Sequence, residues 1–265
     1  MQIQDVLIPV GIFAGLGILF GVILAVASRV FAVKVDERVD QILEVLPGAN
    51  CGGCGYSGCA ALAEAIVKGE AKPNACNACS AAGTQRIGEI MGMVVEASVP
   101  LHAHVMCSGN CHTAKYKYIY EGAPDCIAAE KMGGGDKACP NGCIGLGTCV
   151  AACKYDAIHV VDGLAVVDDA KCIGCGACSN LCPKHIIAMI PVSSKYCVEC
   201  KSVESGAVTR KQCDVGCISC KICEKNCPVN AITVTDFVAS IDQSKCTGCG
   251  LCASKCPRKI IKKAD

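Results

Sequence analysis

Tryptophan is absent from this chain of 265 residues, and aromatic residues make up only 4% of it. Aromatic side chains usually dominate the energetics of a large core, so such a core is excluded as the main source of stability. An excess of charge of one sign is missing as well, because the formal net charge is only +1. A nucleic-acid-binding domain needs a strongly basic face, so this class of function is excluded too.

Nucleotide-binding and catalytic signatures are also missing. No G-x-G-x-x-G segment follows a predicted strand and no Walker-type loop is present, so no nucleotide site is predicted. The five histidines are His102, His104, His112, His159 and His185. They do not form a set with ligand spacing, and we interpret them as surface or packing residues. No catalytic residue is predicted in the chain.

Cysteine, by contrast, is present 27 times, which is about one residue in ten. A share above roughly 8–10% indicates a disulfide scaffold in short secreted chains. This chain is long, its cysteine count is odd, and the cysteines bunch at short fixed spacings. Bound inorganic clusters are therefore the favoured explanation of what holds the chain together.

The N-terminal segment differs in composition from the rest. Residues 6–28 are 23 positions without a charge, and a helix needs about 20 apolar residues to cross a bilayer. A cleaved signal peptide is the alternative, but it needs positive charge before the apolar run, and only Asp5 is charged there. Arg29, Lys34 and Arg38 follow the run, and the positive-inside rule places them in the cytoplasm. The sequence therefore predicts one transmembrane anchor in residues 1–33, with the bulk of the chain on the cytoplasmic face of a bacterial cell membrane.

Two copies of one cysteine pattern lie at the C-terminal end. C-x2-C-x2-C-x3-C-P is the run of two-cluster ferredoxins, in which the fourth cysteine of each run ligates the other cluster. The expected ligands are Cys217, Cys220, Cys223 and Cys256 for one cluster and Cys246, Cys249, Cys252 and Cys227 for the other. Between the runs, alternating apolar and polar residues predict a hairpin near Thr235 and Asp236. A zinc site is the alternative. Structural zinc sites pair two short C-x-x-C-like segments around one ion, and this spacing fits that arrangement poorly.

An upstream segment repeats the design with two departures. Leu146 stands where a cysteine is expected, and Lys154 stands where a proline is expected. We expect Cys139 to replace the missing ligand. The expected sets are Cys139, Cys143, Cys149 and Cys182 for one cluster and Cys172, Cys175, Cys178 and Cys153 for the other. The dipeptide Asp162-Gly163 predicts a type I′ hairpin turn between them.

The repetition predicts the domain organisation of the C-terminal half. Two tandem ferredoxin-like domains are expected over residues 139–191 and 213–265, joined by a connector over residues 192–212. A second connector that carries cysteines is expected over residues 99–138.

A different pattern, C-x2-C-x4-C-x16-C, lies nearer the N-terminus. Its members are Cys51, Cys54, Cys59 and Cys76. One helix is predicted up to Pro47, a second from Cys59 to Gly69 and a third from Thr84 to Met93. We expect one [4Fe-4S] cluster in a small helical domain over residues 34–98. Disulfides are the alternative, which the predicted cytoplasmic placement disfavours because thiols there are kept reduced. The expected fold class is α+β.

Seven cysteines remain after five clusters. They are Cys79, Cys107, Cys111, Cys126, Cys197, Cys200 and Cys213. The spacing of Cys200 and Cys213 mirrors that of Cys126 and Cys139. We expect a sixth cluster that bridges the two ferredoxin-like domains, with ligands Cys107, Cys126, Cys200 and Cys213. Two alternatives stay open: Cys126 and Cys139 exchange roles, or some of these residues are merely small buried hydrophobic side chains.

With many clusters and no hydride-transfer site, one-electron relay is the chemistry open to the chain. The segment ASRVFAVKVDERVDQILEVLPGANCGGCGYSGCAALAEAI, the cysteine set that follows it and the tandem ferredoxin-like units resemble the B subunit of the Rnf complex. The resemblance spans essentially the whole chain. The cysteines between residues 107 and 153 make it similar to the many-cluster form of that family.

The resemblance implies a subunit of an ion-translocating ferredoxin:NAD+ oxidoreductase. Such a subunit is expected to accept electrons from reduced soluble ferredoxin and to pass them to membrane subunits of the complex. Flavin and NAD+ chemistry, and coupling to Na+ or H+ translocation, then belong to other subunits. The alternatives are a ferredoxin-like arm of another membrane hydrogenase or dehydrogenase, and an iron–sulfur sensor protein.

Overall fold

The computed structural model describes residues 3–30, 36–95 and 99–264. The chain divides into two compact units, Met1–Glu37 and Arg38–Asp265. In the described part of the first unit, helix α1 (Ile3–Val30) is the only helix or strand that lies entirely within the unit.

The predicted transmembrane helix is wrong. No helix in the described ranges is both long enough and apolar enough to cross a membrane. Two of the residues behind the predicted orientation, Lys34 and the side chain of Arg29, lie outside what the structure describes.

Three helices surround a small apolar core in residues 38–95, which we call the helical domain. They are α2 (Glu37–Val45), α3 (Cys59–Lys68) and α4 (Ala81–Met91). Ile42, Leu62 and Ile87 are fully buried at their contact. All three predicted helices are present. Helix α4 starts earlier than Thr84 because Ser80 caps it, its side chain accepting a hydrogen bond from the Gly83 amide at 3.1 Å.

Residues 99–191 form the first ferredoxin-like unit, which we call repeat A. Its elements are β1 (Leu101–Val105), α5 (Cys126–Lys131), α6 (Thr148–Ala152), β2 (Ile158–Val161), β3 (Leu164–Val167), α7 (Ala177–Leu181) and β4 (Ile187–Pro191). Strands β2 and β3 pair antiparallel around Asp162 and Gly163, whose φ angles of 50° and 70° confirm the predicted type I′ turn. Strand β1 pairs antiparallel with β4, so the segment expected to be a connector supplies the first strand of the unit.

Residues 192–264 form the second unit, repeat B, with the same order of elements. They are β5 (Tyr196–Val198), α8 (Gly206–Gln212), α9 (Ile222–Lys225), β6 (Ile232–Thr235), β7 (Val238–Ile241), α10 (Leu251–Lys255) and β8 (Ile261–Lys263). Strand β5 pairs with β8, and β6 pairs with β7 around Asp236 and Phe237. The internal repeat therefore starts one strand and one helix earlier than its cysteine runs.

Candidate metal centres

All 27 cysteines lie in the described ranges, and all are free thiols. The disulfide alternative for the helical domain is therefore wrong. Most of these thiols lie in groups. Some groups contain the same cysteines as the sets expected from the spacing, and others do not.

Repeat B brings together both sets expected there. One cavity is lined by Cys217, Cys220, Cys223 and Cys256. A second cavity is lined by Cys227, Cys246, Cys249 and Cys252. Each group takes the fourth cysteine of the other run, because the two short helices α9 and α10 pack against each other. Cys220 and Cys249 are exposed at the surface of this repeat.

One group in repeat A also matches its expected set. Burial, together with the charges of Cys175, Cys172 and Cys153, raises the pKa of Cys178 to about 11. These four thiols therefore lie close enough to repel one another as thiolates.

The other group in repeat A differs from the expected one. Its cavity is lined by Cys126, Cys143, Cys149 and Cys182, so Cys126 stands where we expected Cys139. Asp125 caps helix α5, accepting a hydrogen bond from the Ala128 amide at 2.8 Å. The Thr148 hydroxyl donates to Asp125 and accepts from the Cys126 amide, both at 2.7 Å. The start of α5 is thereby tied to the start of α6, next to Cys149.

A further cavity lies between the two repeats. It is lined by Cys107, Cys139, Cys200 and Cys213, and we call these four the bridging set. The expected sixth set had Cys126 in place of Cys139, so these two cysteines exchange positions relative to our expectation.

Each repeat contributes equivalent residues to the bridging set. Cys107 follows the end of β1 by two residues, and Cys200 follows the end of β5 by two residues. Cys139 and Cys213 each stand four residues before the next cysteine of their run. The bridging set could therefore have been found from the V-x-C pattern at the ends of the two strands. The spacing of twelve residues between pairs of cysteines was the wrong guide.

Positively charged side chains accompany the bridging set. Lys137 is 3% exposed and donates hydrogen bonds to the carbonyl oxygens of Gly109 at 2.9 Å and Gly163 at 2.6 Å. The Arg258 guanidinium donates to the carbonyl oxygen of Cys213 at 2.6 Å. Burial raises the pKa of Cys213, and the charge of Arg258 opposes this rise. Lys137 acts in the same way on Cys143 of the neighbouring group, whose pKa burial also raises.

The helical domain carries its own group of cysteines. Cys59 and Cys76 are buried in its core, and Cys54 packs against them. Burial raises the pKa of Cys76 to about 11. Tyr155 of repeat A lies beside the same group, since burial and then the charges of Cys51, Cys175, Cys59 and Cys76 raise its pKa.

The helical domain docks on repeat A through the loop that carries these cysteines. Lys154 Nζ donates hydrogen bonds to the carbonyl oxygens of Ala49 at 3.0 Å and Asn50 at 2.8 Å. Asn180 donates to the carbonyl oxygen of Gly53 at 3.2 Å. Lys154 occupies the position at which the other runs have proline, and proline has no side-chain donor. The departure from the ferredoxin pattern therefore coincides with a docking contact.

Replacing Lys154 with methionine should weaken this contact. Two hydrogen bonds are lost, and because the side chain is exposed we expect the helical domain to loosen by about 1 kcal/mol. Limited proteolysis of the anaerobic protein should then cut the helical domain faster than in the wild type. Lys171→Met, which removes only the exposed pair with Asp156, is the matched control and should leave the cleavage rate unchanged. Equal rates in both variants would argue against the docking role.

The donor groups around the cysteines fit iron–sulfur clusters. Backbone amides donate to thiol sulfurs at Cys172 (3.4 Å), Cys153 (3.4 Å), Cys200 (3.3 Å) and Cys227 (3.2 Å). Hydrogen bonds to sulfur are one of the ways in which proteins tune such clusters. Burial, together with the charges of Cys143 and Cys126, raises the pKa of Cys149 to about 12. Thiols packed in this way stay protonated by themselves, and they become thiolates when a positively charged metal centre binds.

Two of the three unassigned cysteines are packing residues. Cys79 is buried in the core of the helical domain, and Cys197 is buried in β5. They fit the alternative of small buried hydrophobic side chains. Cys111 differs from both because it is exposed.

Three protein-family models match the chain. They are described as a putative Fe-S cluster (residues 46–78), a 4Fe-4S binding domain (residues 165–188) and a 4Fe-4S dicluster domain (residues 216–260). The matches fall on the helical domain, on repeat A and on repeat B. The presence of 4Fe-4S binding domains agrees with the prediction from cysteine spacing.

Curated relatives match nearly the whole chain. The B subunit of the Na(+)-translocating ferredoxin:NAD(+) oxidoreductase complex of Acetobacterium woodii is 44% identical over 261 residues, which cover 98% of this chain and 78% of the relative. The B subunit of the ion-translocating oxidoreductase complex of Methanosarcina acetivorans is 42% identical, over 96% of each chain. The B subunit of the proton-translocating ferredoxin:NAD(+) oxidoreductase complex of Clostridium ljungdahlii is 41% identical, over 93% of this chain and 88% of the relative.

Proposed function

Because the chain belongs to the family of B subunits of ion-translocating oxidoreductase (Rnf) complexes, we propose that it is the electron-relay component of such a complex. Ion translocation takes place across a membrane, so the complex is membrane-associated. The 4Fe-4S domains supply the cofactors, and each cluster, when bound, takes up and releases one electron. NAD+ reduction and ion translocation then belong to the partner subunits.

The observation that carries the proposal is the continuity of the cysteine groups. The Cys51 thiol lies against Cys175, which joins the helical domain to repeat A. Inside repeat A, the charge of Cys178 is among the causes that raise the pKa of Cys149, after burial, so the two groups there are neighbours. Cys107 of the bridging set lies near Cys143, so each group has a neighbour in the next.

The series continues into repeat B. Burial, together with the charges of Cys217 and Cys107, raises the pKa of Cys200 to about 11. The Cys217 amide donates to the Cys200 sulfur at 3.3 Å. Cys217 belongs to the first group of repeat B, and the second group follows within the same repeat. An electron relay requires a row of neighbouring cysteine groups. A sensor protein with one exposed cluster does not require such a row.

The ligand sets follow from this series. We assign six clusters, one of them held by the bridging set. The other five sets are Cys51, Cys54, Cys59 and Cys76; Cys153, Cys172, Cys175 and Cys178; Cys126, Cys143, Cys149 and Cys182; Cys217, Cys220, Cys223 and Cys256; and Cys227, Cys246, Cys249 and Cys252. The all-thiol state of the chain supports a location of these sets on the cytoplasmic face, where thiols are kept reduced.

Reduced ferredoxin is the proposed electron donor, and repeat B is its proposed docking side. Cys220 and Cys249 are the exposed ligands of the series, so electrons have the shortest way in at this end. Lys221, Lys255 and Lys259 are exposed in the same repeat and favour an acidic partner by electrostatic steering. The helical domain, at the other end of the series, then hands electrons to partner subunits.

Two measurements on the anaerobic full-length chain test this function. Six clusters predict about 24 iron atoms and as many sulfides per chain, against about 20 without the bridging cluster. Mixing with reduced ferredoxin should bleach the cluster absorbance and produce EPR signals from several reduced clusters. A fully loaded chain that reduced ferredoxin fails to reduce, alone or within its complex, would contradict the relay.

A further inference from the structure

We propose that Cys111, His112 and Asp162 form a zinc site on the surface of repeat A, separate from the iron–sulfur clusters. The Cys111 sulfur, a His112 ring nitrogen and an Asp162 carboxylate oxygen all lie within 4.8 Å of one another. Thiolate, imidazole and carboxylate are the three donor types that Zn2+ takes in proteins. The site is independent of the electron relay. It gives a role to Cys111, the one exposed cysteine that is not among the proposed cluster ligands.

The backbone holds the two segments of this site together. The Cys111 amide donates to the carbonyl oxygen of Asp162 at 2.8 Å. The buried Lys137 ammonium binds the carbonyl oxygens of Gly109 and Gly163, one on each segment. The ligand-bearing positions are thus fixed relative to each other before any ion binds.

The local turn of each segment is fixed as well. The Asn110 side chain accepts hydrogen bonds from the amides of His112 and Thr113, both at 3.1 Å. Asp162 is the first residue of the tight β2–β3 turn, with φ of 50°. Two preformed turns therefore present the three side chains side by side.

Only a small movement is needed to bind the ion. Ligand atoms on a tetrahedral zinc are about 3.3–3.8 Å apart, given bonds of about 2.0–2.3 Å. All three side chains are exposed, so rotation about their own bonds can close the remaining gap, and water can take the fourth position. A cubane cluster does not fit here, because Cys111 is the only thiol of the group.

Metal content of the full-length, cluster-loaded chain tests the site. After incubation with limiting ZnSO4 and gel filtration, we expect about one zinc per chain. Cys111→Ala, His112→Ala and Asp162→Asn should each bind at least tenfold less zinc at the same concentration, with unchanged iron. Asparagine tolerates positive φ, so Asp162→Asn keeps the turn.

A matched pair of controls and a spectroscopic readout sharpen the test. His159 and Asp156 form another exposed pair in repeat A, 3.8 Å apart and without a cysteine, so His159→Ala and Asp156→Asn should keep the zinc. X-ray absorption at the zinc edge should show one sulfur and three nitrogen or oxygen ligands. The proposal is overturned if the wild type binds no zinc, if the three variants bind as much as the wild type, or if the zinc has only sulfur ligands.

Discussion

The double variant Cys126→Ala/Cys182→Ala is expected to lose about four iron atoms per chain, and Cys139→Ala/Cys182→Ala about eight. Cys126 and Cys182 line one cavity, so removing both destroys one cluster. Cys139 lines the cavity between the repeats, so the second variant damages two clusters. Iron and sulfide analysis of the anaerobic proteins measures the difference directly.

The single variants supply the control for this comparison. Each of the three single alanine substitutions should remove about four iron atoms at most, because each removes one ligand of one cluster. The grouping first expected from the sequence gives the opposite order, in which the pair with Cys139 loses four and the pair with Cys126 loses eight. That order would contradict the exchange of these two cysteines.

Gly53→Ala is expected to separate the helical domain from repeat A while every cluster stays loaded. An ideal Cβ on Gly53 would lie 1.9 Å from the carbonyl oxygen of Cys175 and 2.8 Å from its carbonyl carbon. Backbone atoms of a cluster-bearing loop have little room to retreat, so we expect a loss of about 1–3 kcal/mol in docking. Magnetic coupling between the two reduced clusters on either side of the contact should fall, as measured by EPR line shape and relaxation.

The control for Gly53→Ala is Gly142→Ala. A Cβ there would meet its nearest neighbour, in Cys139, at 3.4 Å, which is an ordinary contact. Its coupling and iron content should match those of the wild type. An unchanged EPR coupling in Gly53→Ala, with full iron content, would show that the two domains do not dock through this loop.

Local spacing encoded much of the fold and of the sites. The runs of repeat B lie on short helices whose cysteines have to meet, so the grouping of Cys217 with Cys256 was readable from the sequence alone. The β2–β3 turn was readable for the same reason, because Asp162 and Gly163 both adopt positive φ at low energy. The three helices of the helical domain followed from apolar periodicity.

Other features depend on contacts between distant residues. Cys126 and Cys139 were equally suitable by spacing, and hydrogen bonds of Thr148 place Cys126 beside Cys149. Lys154 donates a hydrogen bond to a carbonyl oxygen more than 100 residues earlier in the chain, and sequence spacing does not reveal such a contact. Strand β1 was missed because its partner β4 lies beyond the whole cysteine run. The predicted transmembrane span was wrong, since the described ranges contain no helix that is long and apolar enough to cross a membrane.

The bridging set also constrains how the chain can be made. Two of its cysteines come from repeat A, and the last of the four, Cys213, is synthesised only after repeat A is complete at residue 191. The clusters proposed for the helical domain and for repeat A use no ligand beyond Cys182, so we expect their sites to be complete while repeat B is still being translated. Cofactor insertion can thus proceed from the N-terminus during synthesis, and the bridging site closes only when the nascent chain has brought its two halves together.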